Sequence, residues 1–406
     1  MAKELSIKLK TFSALSHKNY RLFFFGQALS LIGTWMQSVA LSWLTLELTS
    51  SPFLLGVLSA VQFAPMTFLS VVGGVAADRI PKKRILLITQ SLMMVLAGLL
   101  TVLTYFHLVS YWHLLIIAFG LGVANSFDMP TRQAFVIDLV GPEDLTNAIA
   151  LNSSIFNLAR LLGPALAGLV LAKYGSATCF LINTFSFLAV LTGLLLMDNL
   201  PARKKGSSSS LKEDLKEGFR YLYNQKPLFR AILTVSALSI FAMNFSVLIP
   251  ILAKIDLKLP AEMFGFMMSS FGLGALLGAL SMATFSKRLN LNKVINISAV
   301  LMAIFQLAMP LAKFPWTAMV LLFLTGFFTI AFNSGSNSFL QKNVSDTYRG
   351  RVMSIYTTVF AGFAPLGSLF AGSVSHYLNA SQTFATGAFI ALILVAMINF
   401  NQGRKP

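Results

Sequence analysis

From residue 22 to residue 400 the chain is a succession of apolar stretches, most of them about twenty residues long, separated by short polar connections. A bilayer hydrocarbon core about 30 Å thick is crossed by about 20 residues of helix. Lipid offers no partner for backbone N–H and C=O groups, so a crossing segment is either a helix or a strand of a closed barrel. Barrel strands are short and alternate in hydropathy, whereas these runs are continuous. Spans are predicted at 22–47, 54–77, 85–106, 112–132, 146–172, 177–198, 229–252, 262–286, 294–312, 316–338, 352–375 and 382–400, twelve in all. Only 11% of the 406 residues are Asp, Glu, Lys or Arg and 56% are hydrophobic, against about 25% charged residues in a soluble domain. The expectation is an all-α membrane protein.

A formal charge of +17 raises the question of a nucleic-acid partner, and the placement of the basic residues answers it. With both termini assigned to the cytoplasm, 26 of the 31 Lys and Arg residues fall on that side. Lys173, Lys254, Lys258 and Lys313 fall on the other, and Arg160 lies within a span. The positive-inside rule accounts for such a bias, so the charge sets topology and no nucleic acid is expected. The basic first twenty residues precede a long apolar run without the small-residue cleavage site of a secretory signal, so that run is expected to be a retained first helix. Cys179 is the single cysteine, which excludes an intramolecular disulfide or a cysteine-built metal cluster.

Residues 199–228 interrupt the pattern. They begin Leu200-Pro201-Ala202-Arg203-Lys204-Lys205, pass through four serines, and from Leu211 place Leu211, Leu215, Phe219 and Leu222 on one helical face, the amphipathic pattern of a linker helix. The two sides of this linker repeat each other. Asn125-Ser126 followed by Gln133-x-x-Val136-x-Asp138 is answered by Asn333-Ser334 followed by Gln341-x-x-Val344-x-Asp346. Leu162-Gly163-x-x-x-Ala167-Gly168 is answered in the same order by Leu366-Gly367-x-x-x-Ala371-Gly372. Duplication of a six-helix unit follows, with a bundle at 1–198, a cytoplasmic linker at 199–228 and a second bundle at 229–406. Duplicated halves of this kind place a substrate path at their seam near mid-membrane.

The loop after the second span reads Gly74-Val75-Ala76-Ala77-Asp78-Arg79-Ile80-Pro81-Lys82-Lys83-Arg84. It resembles the G-x-x-x-D-R-x-G-R-K-R signature of the major facilitator superfamily, with Pro81 in place of the usual glycine. The fifth span carries Gly163-Pro164-x-x-x-Gly168, similar to the G-P-x-x-G-G pattern of drug and metabolite antiporters with the last glycine displaced. Tyr20-Arg21-Leu22-Phe23, Gly26-Gln27, Gln62-x-x-Pro65 and Asp128-Met129-Pro130-x-Arg132-Gln133 resemble the branch of enterobactin-type siderophore exporters and macrolide efflux proteins. The resemblance implies a major facilitator fold of two pseudo-symmetric six-helix bundles. It further implies a proton-driven efflux carrier of the bacterial inner membrane, acting on a siderophore, drug or amphiphilic metabolite. Some relatives shuttle lysophospholipids instead, which keeps a lipid cargo as the alternative. By the same resemblance Gly74, Asp78, Arg79, Lys83 and Arg84 form a cytoplasmic gate, with Asp78 facing the amino end of the eleventh helix and Arg79 pairing with acids at the end of the fourth.

Among residues inside spans, Arg160 is the sharpest observation, because a mid-membrane charge costs between about 2.5 and more than 10 kcal/mol. Two readings stay open: an ion pair joining helices of the first half, or an anion-attracting group lining the cavity. Asp128 is the only carboxylate well inside a span and so the candidate for proton coupling. It pairs with Arg160, with Arg132 one turn away, or with Arg79. Gln27, Gln37, Gln62, Asn152, Asn157, Asn244, Asn333 and Asn337 are candidate cavity or interhelical polar groups, and Trp35 and Trp43 offer stacking or packing surfaces. Gly163, Pro164 and Gly168 are expected to permit close packing and a bend. The four histidines fall at loop ends, and the sequence lacks a G-K-[ST] phosphate loop. The expectation is therefore a monomeric transporter in the lipid bilayer with a small-molecule substrate and protons as partners, no cofactor, no metal and no catalytic residues.

Overall fold

The computed structural model describes residues 12–198, 211–286 and 289–400, and among these every regular element is a helix. The first three are α1 (Lys18–Thr49), α2 (Pro52–Arg79) and α3 (Lys82–Tyr105). Next comes a helical stretch of 85 residues, Tyr111–Leu195, which at 1.5 Å per residue is about 128 Å of helix, several times the depth of a bilayer core. It breaks at Gly141 (φ 72°) and Gly175 (φ 76°), positive dihedrals that side chains resist and glycine accepts. The breaks delimit α4 (111–140), α5 (142–174) and α6 (176–195). There follow α7 (Leu211–Asn224), α8 (Lys226–Asp256), α9 (Ala261–Phe285), α10 (Leu291–Leu311), α11 (Pro315–Asn343), α12 (Asp346–Tyr377) and α13 (Ala380–Phe400).

Ten described stretches are long and apolar enough to cross a membrane, counting 111–195 as one. Divided at its two glycines that stretch supplies three helices, where the sequence places three spans. The predicted helix from Leu211 is present as α7, while 199–210 lie outside the described residues. Leu222 of α7 is buried but Phe219 is 55% exposed, so the apolar face is only partly covered. Arg351 of α12 donates to Glu217 of α7 at 2.6 Å, and Tyr221 stacks on Tyr348 with ring centres 4.4 Å apart.

The chain divides into two compact units, Met1–Leu41 with Phe68–Gly206, and Ser42–Thr67 with Ser207–Pro406. The C-terminal end of α1 and the start of α2 thus pack with helices that follow the linker. Within unit 1 a core of Tyr20, Phe23, Leu86, Phe135, Val136, Val190 and Leu194 binds α1, α3, α4 and α6 together. In unit 2, Ile232, Val235, Leu238, Met302, Phe332, Val352 and Tyr356 do the same for α8, α10, α11 and α12. The sequence repeat reappears as repeated packing inside each unit. A Cβ added at Gly163 of α5 would lie 2.5 Å from the Cβ of Trp35 on α1. One added at Gly367 of α12 would lie 3.0 Å from the Ile240 carbonyl oxygen and 2.3 Å from Asn244 Oδ1 on α8. Both pairs pack as closely as small residues allow.

This geometry gives a stability prediction. Gly163→Ala is expected to lower stability by about 1–3 kcal/mol through overpacking, because the opposing atom is a Cβ that cannot swing away. Gly74→Ala is the contrasting control: no atom lies within 4 Å of its added methyl, and helix propensity favours alanine by up to about 1 kcal/mol. Thermal unfolding of the two purified variants checks the pair, and equal midpoints would contradict it.

A short turn, Ser13–Ser16, anchors the chain before α1. The Ala14 N–H donates to Asn147 Oδ1 at 3.1 Å, and His17 Nε2 lies 2.8 Å from Asp144 Oδ2, just after the Gly141 break. Hydrogen bonds from Ser13 and then His17 hold the Asp144 carboxyl below its ordinary value. A depressed carboxylate stabilises the fold above its unfolded pKa of about 3.9, and that contribution fades as pH falls through the lower folded value. The stability difference between wild type and Asp144→Asn is therefore expected to be present at neutral pH and to disappear below the carboxylate range. A difference that stays constant down to pH 3 would be the contrary result.

Candidate functional site

The fully buried carboxylate of Asp128 is the centre of a polar cluster inside unit 1. Its Oδ1 accepts from Thr89 Oγ1 at 2.9 Å and Gln90 Nε2 at 2.8 Å, both on α3. Its Oδ2 accepts from Arg132 Nη2 one turn along α4, and Arg132 Nη1 donates to Gln27 Oε1 of α1 at 2.8 Å. Of the three partners open from the sequence, the structure selects Arg132. The spacing of four places both groups on one helix face. Thr89 and Gln90 were not foreseen; the available signal was two adjacent polar residues within an apolar span. α3 and α4 meet on the buried acid and α1 reaches it through Arg132, and among the described residues only Arg132, its side chain 27% exposed, balances its charge. The repeat gives Asp128 the counterpart Ser336 in α11 and Arg132 the counterpart Leu340, so the charged pair belongs to one half alone.

Arg160 sits elsewhere, on α5. Its Nη2 donates to Asn157 Oδ1 at 2.5 Å and its guanidinium carbon lies 5.7 Å from the ring centre of Phe156. Phe156 in turn meets Trp35 of α1 edge-on at 6.1 Å. No carboxylate pairs with Arg160 among the described residues, and its Nε is buried without a hydrogen-bond partner. Asn152, also on α5, accepts from the Tyr20 hydroxyl at 3.2 Å. Pro164 and Gly168 are buried within continuous helix, whose only non-helical dihedrals are at Gly141 and Gly175. Gln37 is buried and accepts from Asn183 Nδ2 of α6 at 2.8 Å, so its carbonyl oxygen ties two helices.

In unit 2, Asn337 accepts from Gln341 Nε2 at 2.6 Å, the Asn333 carbonyl accepts from the Tyr356 hydroxyl at 3.4 Å, and Asn333 Oδ1 is buried without a partner. The break in α8 at Ala242–Asn244 leaves a carbonyl that Gln306 Nε2 satisfies at 2.9 Å. Thus Gln27 belongs to the Asp128 cluster, Asn157 to the Arg160 face, and Asn333 and Asn337 lie together on α11, whereas Gln37 and Asn152 are held in interhelical hydrogen bonds of their own.

The motif loop after α2 leaves Asp78, Arg79 and Arg84 exposed. The acid at the end of α4 is Asp138, and its partner is Lys82 at 2.6 Å, not the Arg79 that the resemblance suggested. Lys82 opens α3, and Lys83 beside it donates to the Met197 carbonyl at 2.9 Å. Two consecutive lysines thus hold the loop to α4 and to the end of the first half.

Residues 9–404 match the family described as transmembrane secretion effector. The staphyloferrin A transporter of Staphylococcus aureus is 28% identical over 392 residues, 95% of this chain and 96% of that one. Macrolide efflux protein A of Streptococcus pyogenes is 24% identical, covering 96% and 98%, and the multidrug efflux pump Tap of Mycolicibacterium fortuitum is 24% identical, covering 89% and 90%. Among solved structures, the nucleoside transporter NupG superposes with a TM-score of 0.76 at 14% identity over 96% of this chain and 99% of its own. A D-xylose-proton symporter gives 0.69 at 14% identity, over 94% and 96%. The helices, the repeat and these matches agree, and the chain belongs to the transmembrane secretion effector family of major facilitator transporters.

Proposed function

We propose that the protein is a secondary-active exporter that moves small amphiphilic molecules outward across the bacterial inner membrane in exchange for protons. It works as a monomer with both termini in the cytoplasm, and its halves, 1–198 and 229–406, rock about the 199–228 linker. The observation that carries the coupling is the Asp128–Arg132 pair. A wholly buried carboxylate balanced by one partly exposed arginine is costly to leave unpaired, so movement of that arginine ties the pair to the transport cycle. Efflux as the direction is supported by the siderophore, macrolide and multidrug relatives. The loop from Gly74 to Arg84 acts as the cytoplasmic gate, with Asp78 and Arg79 on its exposed surface and Lys82 and Lys83 fixing its base.

Inside-out vesicles containing the purified protein test this reading. Uptake of at least one member of a panel of siderophores, macrolides and dyes is expected, rising with an imposed proton gradient and collapsing with a protonophore. Uptake indifferent to the gradient would overturn the coupling, and no uptake of any panel member would overturn export.

A further inference from the structure

Among the described residues Arg160 carries a charge that no carboxylate balances. Asp128, a buried carboxylate of the same unit, already accepts from Arg132, Thr89 and Gln90. Among the described residues the guanidinium makes a single hydrogen bond, to the neutral amide of Asn157, and its buried Nε has no partner. A charge near mid-membrane persists only where something pairs with it or water reaches it. Around it the chain builds an apolar wall. Phe156, four residues before Arg160 and so on the same face, is 43% exposed. The Trp35 ring meets it edge-on, and Gly163 keeps α5 close against Trp35. A planar fork of donors beside two aromatic rings is matched to an anion carried on an apolar body, with the fork taking both carboxylate oxygens.

We propose that Trp35, Phe156, Asn157 and Arg160 form the anion-recognising part of the cargo site, and that the cargo is an amphiphile bearing a carboxylate or a similar anion. This rests on the export reading above and narrows it to a substrate class. Asn157 is a positioning residue: its Nδ2 donates to the Ser153 carbonyl at 2.7 Å, which orients its Oδ1 toward Arg160. Cationic amphiphiles are disfavoured by the same charge.

Three probes with one aromatic body test it: 2-naphthylacetate, 2-(2-naphthyl)ethanol and 2-(2-naphthyl)ethylammonium. Their binding to the full chain in phosphatidylcholine nanodiscs, with empty nanodiscs subtracted, is measured by equilibrium dialysis. The carboxylate is expected to bind at least tenfold tighter than the alcohol, and the ammonium more weakly than either. In Arg160→Gln the carboxylate and alcohol are expected to converge within about threefold, a gap of about 0.65 kcal/mol, while Arg160→Lys retains part of the preference. Alcohol or ammonium binding as tightly as carboxylate in the wild type, or no binding of any probe, overturns the proposal even if Arg160→Gln fails to fold. Competition by lysophosphatidylglycerol at equal affinity, lost in Arg160→Gln, identifies a lipid phosphate as the anion and overturns a soluble carboxylate cargo. The vesicle assay stays separate: gradient-driven uptake without anion preference removes this proposal and leaves export standing, whereas anion-selective binding without uptake does the reverse.

Discussion

Asp128→Asn is expected to abolish proton-driven accumulation in inside-out vesicles while leaving gradient-independent exchange of cargo measurable. The substitution keeps an acceptor for Thr89 and Gln90, which both donate to Oδ1. It also turns an amide N–H₂ toward the Arg132 guanidinium, donor against donor, where Oδ2 had accepted. Removing one partner of a buried ion pair costs about 3–5 kcal/mol, and since Arg132 is 27% exposed and recovers some hydration, the expected loss is about 3 kcal/mol. The double variant Asp128→Asn with Arg132→Gln removes the stranded charge and is expected to regain at least about 1 kcal/mol, within the range of coupling between contacting residues. Stability and coupling then separate: the double variant folds better than the single one yet remains uncoupled. Wild-type accumulation by Asp128→Asn, at equal protein per vesicle, would remove Asp128 from the proton path.

What was legible in the sequence is what a bilayer enforces on any chain. Hydrocarbon demands long helices, so most spans could be placed to within a few residues, although α4 runs eight residues past the predicted 132 and α12 begins six before the predicted 352; the breaks at 141 and 175 fall between predicted spans as glycines with positive φ. The Asp128–Arg132 pair was legible because its spacing lies along one helix. Contacts between helices were harder. Gln37 and Gln27 have the same side chain on the same helix, yet one binds Asn183 and the other Arg132, and a single sequence holds no signal for which neighbour each meets. The same limit explains the motif loop. Arg79 ends α2 while Lys82 opens α3 after the Ile80–Pro81 turn, and the turn, not the charge, decides which of them reaches Asp138. The assignment of residues 42–67 to unit 2 was the least legible feature, since it depends on which ends of the helices are together in the conformation described.

That assignment supports the other large expected effect, because Gly372→Leu should release residues 42–67 from unit 2. A Cβ at Gly372 would lie 2.7 Å from the Cα of Gly56 and 2.9 Å from the Pro52 carbonyl oxygen, and one at Gly56 would lie 2.6 Å from the Ser368 carbonyl oxygen. Backbone meets backbone there, so no side chain can turn aside and the helices must separate. Further along the same pair of helices, Thr67 Oγ1 donates to the Gly362 carbonyl at 3.2 Å. At the end of α1, Trp43 stacks on Phe264 at 5.7 Å beneath Lys254, whose Nζ lies 4.2 Å from the indole centre. These contacts clasp a segment of the first sequence half onto α8, α9 and α12. Overpacking of about 1–3 kcal/mol at the centre of the clasp is comparable to the few kcal/mol that separate two conformations of a protein, so the arrangement with residues 42–67 released from the rest of unit 2 should become the populated one. Ser59, 7% exposed in α2, is the reporter: Ser59→Cys in a Cys179→Ala background is expected to react with a maleimide at least tenfold faster when Gly372→Leu is added. The reagent is supplied from the membrane face that carries the Ser50–Ser51 turn. Vesicle uptake is expected to fall with it, because the chain can no longer hold residues 42–67 in the arrangement described. Gly372→Ala should show a weaker form of both effects, and an unchanged labelling rate in Gly372→Leu would mean that this contact does not hold residues 42–67 against unit 2.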